Sequence, residues 1–238
     1  MPPLLILAAS FAIWSMVVVL GRCIVAPRLA AMATGNPLTG LLWLLLNVLF
    51  RLLHGLRIEQ QGKVPGGMDA GPLIVVCNHQ SPIDPLYVQA GCRFMIRWMM
   101  AAEYRTSAID WFWAAADPIM VSRDGRDTAG FRAALRHLRG GGVVGIFPEG
   151  GIRGQRQAIH PFIEGAGLLA ARAPASLLLV TVDGTPRTEN MFAALFEPCQ
   201  TTVRFVDLLT FDRASSPADI TTTIRARMAE ATGWPLVD

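Results

Sequence analysis

Lysine is all but missing from this 238-residue chain: Lys63 is the only one, and the net charge of +3 is carried by arginines that are spread out rather than clustered. That excludes a basic stripe for nucleic acid and leaves a mild attraction to anionic surfaces. Charged residues of both signs reach only 16%, against about a quarter in an ordinary soluble domain. Apolar residues make up 52%, more than an enzyme of this length needs for a core, and a membrane is the expected sink for the excess. The four cysteines, Cys23, Cys77, Cys92 and Cys199, stand far apart, with no Cys-x-x-Cys and no paired histidine spacing. Neither a zinc site nor a disulfide framework is suggested, and the expected state is buried thiols in a reducing compartment. No serine sits in a Gly-x-Ser-x-Gly setting and no cysteine has an evident partner histidine, so a nucleophilic side chain is not expected. The run Gly140 to Gly145 matches Gly-x-Gly-x-x-Gly. A helix is expected before it and a strand after it, the reverse of a dinucleotide-binding unit.

What is present begins with long apolar runs. Met1 to Gly21 carries no charged side chain, and Leu4 to Leu20 is interrupted only by Ser10 and Ser15, long enough as a helix to span a bilayer. A signal peptide is the rival reading, but a basic segment before Leu4 and a small-residue cleavage site are missing. After the turn signal Thr34 to Pro37, a second apolar run from Leu38 to Phe50 is short for a span and better suited to an interfacial or re-entrant helix. Arg22 and Arg28 lie on one side of that run and Arg51 and Arg57 on the other, so charge selects no orientation and a monotopic hairpin fits. His54 and its neighbouring arginines are expected near headgroup depth; a soluble core hairpin is the alternative. Gly62 to Pro72, rich in glycine and proline, reads as the linker. The expected organisation is a membrane-associating helical hairpin over residues 1–60 and one α/β domain over 61–238.

The domain is organised around Val75 to Pro85, Val-Val-Cys-Asn-His-Gln-Ser-Pro-Ile-Asp-Pro. Leu73 to Cys77 reads as a buried strand that delivers Asn78 and His79 at its carboxyl end, where open α/β sheets keep their ligand crevices. Ser81 and Pro82 read as a helix N-cap and first helical residue, with Asp84 at the third helical position. His79 stays in the preceding turn, so it can meet Asp84, which would fix its tautomer and raise its basicity. The plainer reading is a capping box with a satisfied turn histidine.

Further along, helix Pro82 to Gly91, strand Phe94 to Met99 and an aromatic helix around Ser107 to Ala116 are expected, with Trp111, Phe112 and Trp113 assigned to the core. Strand Ile119 to Ser122 then delivers Arg123, and helix Thr128 to Arg139 carries a solvent-facing His137. Strand Val143 to Phe147 ends in Pro148-Glu149-Gly150, whose glycines allow backbone donors near a phosphate, with Arg153 and Arg156 to supply charge. Helix Phe162 to Ala173, strands Leu177 to Val182 and Thr201 to Val206, and a helix from Pro217 to Ala231 complete the pattern.

Taken in order, Asn78-His79 with Asp84, Ile119 to Arg123, Phe147-Pro148-Glu149-Gly150, and Leu177 to Val182 leading to Asp183-Gly184-Thr185 resemble the four sequence blocks of the glycerolipid acyltransferase family that includes the 1-acylglycerol-3-phosphate acyltransferases. The resemblance implies a mixed, mostly parallel sheet flanked by helices, preceded by a hydrophobic two-helix membrane motif. It implies transfer of a fatty acyl group from acyl-CoA or an acyl carrier protein to a lysophospholipid hydroxyl at the cytoplasmic membrane, on the cytoplasmic side. His79 would be the general base and Asp84 its orienting partner; Asn78, Arg123, Glu149, Gly150 and Arg153 would line the acceptor site. No cofactor, metal or nucleic acid is implied. Three departures bear on the acceptor. Gly151-Ile152-Arg153 stands where the family often has Thr-Arg-Ser, Thr181 stands where the fourth block usually has proline, and Ile163 replaces a frequent basic residue after Phe162. The rivals are another lysolipid acceptor, a lipid transacylase, or a catalytically idle lipid-binding module.

Overall fold

The structure is a computed structural model that describes residues 3–30, 37–66, 70–122, 128–212 and 214–238. Arg123 to Arg126, Thr34 to Asn36 and part of the expected linker therefore lie outside the described residues. The chain divides into two compact units, Met1–Val48 and Leu49–Asp238.

In the first unit, α1 (Pro3–Leu20) passes through a π-helical turn at Gly21–Val25 into α2 (Ala26–Ala30). Helix α3 (Pro37–Leu53) follows. Phe11, Trp14 and Val17 on α1 and Leu38, Leu41 and Leu45 on α3 are all exposed. Among the described residues no helix is long and apolar enough to cross a membrane.

The second unit is a seven-stranded sheet with helices between its strands. In chain order its elements are β1 (Arg57–Glu59), β2 (Leu73–Cys77), α4 (Asp84–Ala90), β3 (Arg97–Ala101), α5 (Asp110–Ala116), β4 (Ile119–Val121), α6 (Thr128–Arg139) and β5 (Val143–Ile146). Then come α7 (Gly165–Arg172), β6 (Ser176–Asp183), α8 (Met191–Ala194), β7 (Thr202–Leu209) and α9 (Pro217–Thr232). The strand order is β1-β7-β6-β2-β5-β3-β4. Strands β6, β2, β5, β3 and β4 are mutually parallel, while β7 runs antiparallel to β6 and parallel to β1. The mixed, mostly parallel sheet expected of the chain is therefore present. Its central strands are the near-continuous apolar runs that a sheet covered on both faces requires: all of Leu73 to Cys77 is buried.

Alternation sorts those side chains between the two faces. Ile74 and Val76, Val144 and Ile146, and Leu177 and Leu179 share one cluster with Leu138 of α6, Leu169 of α7 and Ile220, Ile224 and Met228 of α9. Burying such a side chain contributes about 1.5–3 kcal/mol, so this layer anchors the strand ends that carry the site. Helix α9 starts as its sequence dictates, with Ser216 Oγ accepting from Asp219 N at 3.1 Å, Pro217 next, and Gly233 closing it at φ 71°.

Several expectations are corrected. His54 is fully buried rather than placed at headgroup depth: its Nδ1 lies 2.6 Å from Tyr87 Oη and its ring stacks on Phe50 at 5.4 Å. Burial holds its pKa below the ordinary histidine value. Trp111 is 58% exposed whereas Trp113 is buried, because one turn of α5 cannot turn three consecutive aromatics inward. Cys23 is exposed, not buried.

Candidate active site

Because five strands are parallel, the segments leaving β2, β5 and β6 emerge on one edge of the sheet. His79, Glu149 and Asp183 arrive there together. Asn78, 1% exposed, is committed to the neighbouring strand: its Nδ2 donates to Val182 O and its Oδ1 accepts from Val182 N, both at 2.8 Å. The side chain thus imitates one more rung of the β2–β6 ladder and fixes where His79 begins.

Asp84 is fully buried, and its Oδ2 takes three donors: Gln80 N at 2.6 Å, Ser81 N at 2.8 Å and His79 Nδ1 at 3.0 Å. The expected helix cap at Ser81 is therefore corrected. Helix α4 begins at Asp84 behind Ile83, residues 81–83 form a turn, and Ser81 Oγ has no partner among the described residues. The carboxylate takes the Ser81 amide as the acid half of a capping box does, and adds the Gln80 amide and the imidazole, but the hydroxyl half of the box is not made. A carboxylate only accepts, so Nδ1 of His79 carries a proton, and in the neutral ring the lone pair lies on Nε2.

Glu149 is 2% exposed and its Oε1 accepts from His79 N at 3.0 Å, tying the third sequence block to the first. Burial raises its pKa above the usual carboxylate range, against the opposing pull of that N–H bond. Gly150 holds φ 74°, and a Cβ there would sit 2.5 Å from Ile163, so the turn needs glycine. Arg153 Nη2 donates to Glu149 O at 2.9 Å, bracing the same turn.

Arg156, expected as a phosphate contact, is spent otherwise. It donates to Thr185 O at 2.8 Å and to Gln80 O at 2.9 Å, and it also bonds Pro186 O. It ties the His79 turn to the loop after β6. Beside it opens a cavity of ≈ 350 Å³ whose walls include Gln80, Gln157, Asp183, Thr185, Arg187 and Glu197. Sequence reasoning missed this cavity, since its far wall comes from a loop without a motif. The segment that carries Arg123 leaves β4 outside the described residues.

Fold and site together define an α/β protein with a carboxylate-oriented histidine at the carboxyl ends of its parallel strands. The chain belongs to the acyltransferase family, whose sequence model matches residues 55–183. Its fold is shared with the 1-acyl-sn-glycerophosphate (LPA) acyltransferase PlsC from Thermotoga maritima, at 17% identity and a TM-score of 0.66 over 96% of this chain and 94% of that one. No curated protein matches it.

Proposed function

We propose that the protein moves a fatty acyl group from an acyl thioester, acyl-CoA or acyl carrier protein, to the free hydroxyl of 1-acylglycerol-3-phosphate, giving phosphatidic acid. The observation that carries the reading is the 3.0 Å contact of His79 Nδ1 with buried Asp84, at a strand end shared with Glu149. An alcohol attacks a thioester slowly unless its proton is removed, and the lone pair on Nε2 is suited to that. As the acceptor oxygen bonds to the thioester carbon, its proton passes to Nε2. Collapse of the tetrahedral adduct then breaks the carbon–sulfur bond, and the imidazolium returns the proton to the departing thiolate. Asp84 stabilises the imidazolium throughout. The Glu149–Gly150 turn, braced by Arg153, borders the acceptor, with Asn78 fixing the strand end and Arg123 holding the acceptor phosphate.

The site of action in this reading is the cytoplasmic face of the inner membrane, where both lipid substrate and product reside. Attachment to a membrane is supported by the exposed apolar surface of α1 and α3, and the cytoplasmic side is what the family resemblance implies. The name of the structurally similar Thermotoga enzyme supports the choice of acceptor.

The test is acyl transfer from a thioester to a panel of lysolipids, with His79→Ala as control. Transfer to 1-acylglycerol-3-phosphate is expected to exceed that to other lysolipids and to fall by about 10²- to 10⁴-fold in the variant. Equal inertness of both proteins across the panel would leave a lipid-binding module. Preference for another lysolipid would move the acceptor and keep the chemistry.

A further inference from the structure

The ring of His79 is held on a face as well as at an edge. Trp98 of β3 is the cross-strand partner of Gly145 in β5. A Cβ on Gly145 would lie 2.4 Å from the indole, so glycine at that position makes the space in which the indole crosses β5. Two residues on, Phe147 projects from the same face. The indole and the phenyl ring are stacked at 4.6 Å and 13°, and the phenyl and imidazole rings of Phe147 and His79 at 3.9 Å and 15°. Three rings thus form one pile, indole under phenyl under imidazole.

The pile carries a cost. Trp98 Nε1 is buried with no hydrogen-bond partner among the described residues, a penalty that an aliphatic side chain filling the same space would avoid. A flat electron-rich face is what the indole offers in exchange.

We propose that Trp98, acting through Phe147, is a positioning residue for His79: the pile fixes the plane of the imidazole and favours its cationic form during transfer. The inference rests on the general-base reading above and adds to it a residue outside the four sequence blocks. With Asp84 on the Nδ1 edge and Phe147 on one face, rotation about the last side-chain bond is blocked and Nε2 keeps a single direction. A cation over an aromatic face is attracted to the ring quadrupole. His79 is neutral before proton transfer and cationic during it, so this attraction favours the transition state over the ground state. The other charged groups facing His79 are Asp84 on α4 and Glu149 beyond β5. Arg153 and His160 act on Glu149. The pile adds to their field without changing it.

The experiment compares the full-length enzyme with Trp98→Leu, Trp98→Phe and Phe147→Leu. Steady-state kinetics, thermal unfolding and the proton NMR resonances of the His79 ring, assigned with His79→Ala, are measured for each. Phe147→Leu, which removes the ring directly under the imidazole, is expected to lower kcat by about 3- to 30-fold, the size of a cation–π contribution, and Trp98→Leu, which acts only through Phe147, by about threefold, with both KM values within about twofold. Trp98→Phe, which keeps a flat ring, is expected to restore most of kcat. In the wild type the His79 ring protons are expected upfield of a free imidazole, and Phe147→Leu is expected to release them.

The proposal is overturned if Trp98→Leu keeps full kcat, if kcat falls only with the folded fraction, or if Trp98→Phe rescues nothing. The NMR arm needs no substrate and so separates the two readings. Upfield ring protons in a chain that transfers no acyl group would sink the general-base reading and with it the catalytic half of this proposal. Ring protons at free-imidazole positions in an active enzyme would sink the pile alone.

Discussion

A carboxyl group such as that of Glu149 is buried only at a cost, and the cost has a pH signature. Burial is the main reason its pKa lies above the ordinary glutamate value of 4.5, with the His79 amide pulling the other way. Below 4.5 the group is protonated in both folded and unfolded states and exacts no penalty. As pH rises through 4.5 and then through the raised folded value, the unfolded chain loses the proton first and stability drains away. Glu149→Gln keeps an oxygen to accept the His79 N–H without a charge to bury. The variant is therefore expected to melt above the wild type at pH 7, with the advantage closing below 4.5; parallel melting curves across that range would show the carboxylate to be well compensated. The pairing of His79 with Asp84 was legible in the sequence because it is local, a turn of known hand between a strand and a helix. The duties of Asn78, Arg156 and Trp98 were not, because each depends on which strand lies beside which: Asn78 on β6 beside β2, Trp98 on β3 beside β5. Register is a property of the assembled sheet.

Elements with a strong period were the easiest to read. Helix α6 spans Thr128–Arg139 and β2 spans Leu73–Cys77, both as the pattern of apolar residues predicts. Strand β1 was missed: three residues, Arg57 to Glu59, carry no period of their own and become a strand only by pairing with β7. The start of α4 was misplaced because a buried carboxylate competed with the serine cap. Contacts between elements were invisible for a similar reason, and Gly167 shows it. This glycine sits inside α7, where it costs propensity, and a Cβ would come within 2.2 Å of Pro217 O and 2.4 Å of Thr221 Oγ1 on α9. The two helices approach backbone to backbone at that point. Gly167→Ala is expected to destabilise the chain by about 1–3 kcal/mol despite alanine's better helix propensity. Urea unfolding would measure it, and a gain in stability would mean that α9 yields to a methyl group.

For the molecule as a whole, apolar surface is divided unevenly. In the unit Leu49–Asp238 most of it is folded away between sheet and helices, with scattered exceptions such as Leu52, Trp111 and Phe196; in the unit Met1–Val48 it is displayed along the helices. Side chains such as Phe11 at 68%, Trp14 at 63% and Val17 at 58% exposure are far more than the scattered apolar residues any surface carries. The membrane reading of these helices asks them to be covered by acyl chains, and burial of apolar area gives about 25 cal/mol per Å². Charges placed there should then cost binding to lipid and nothing else. Trp14→Asp with Val17→Asp is expected to shift the protein from vesicles to the aqueous phase in flotation assays, by about tenfold or more given roughly 1.5–3 kcal/mol for each large apolar side chain lost from the lipid phase. Transfer measured with a detergent-dispersed acceptor should be unchanged, because the residues that hold and orient His79 all belong to the other unit. If the double variant floated as well as the wild type, the displayed helices would not be what binds the membrane, and the basic residues Arg51 and Arg57, acting on anionic headgroups, would be the next to test.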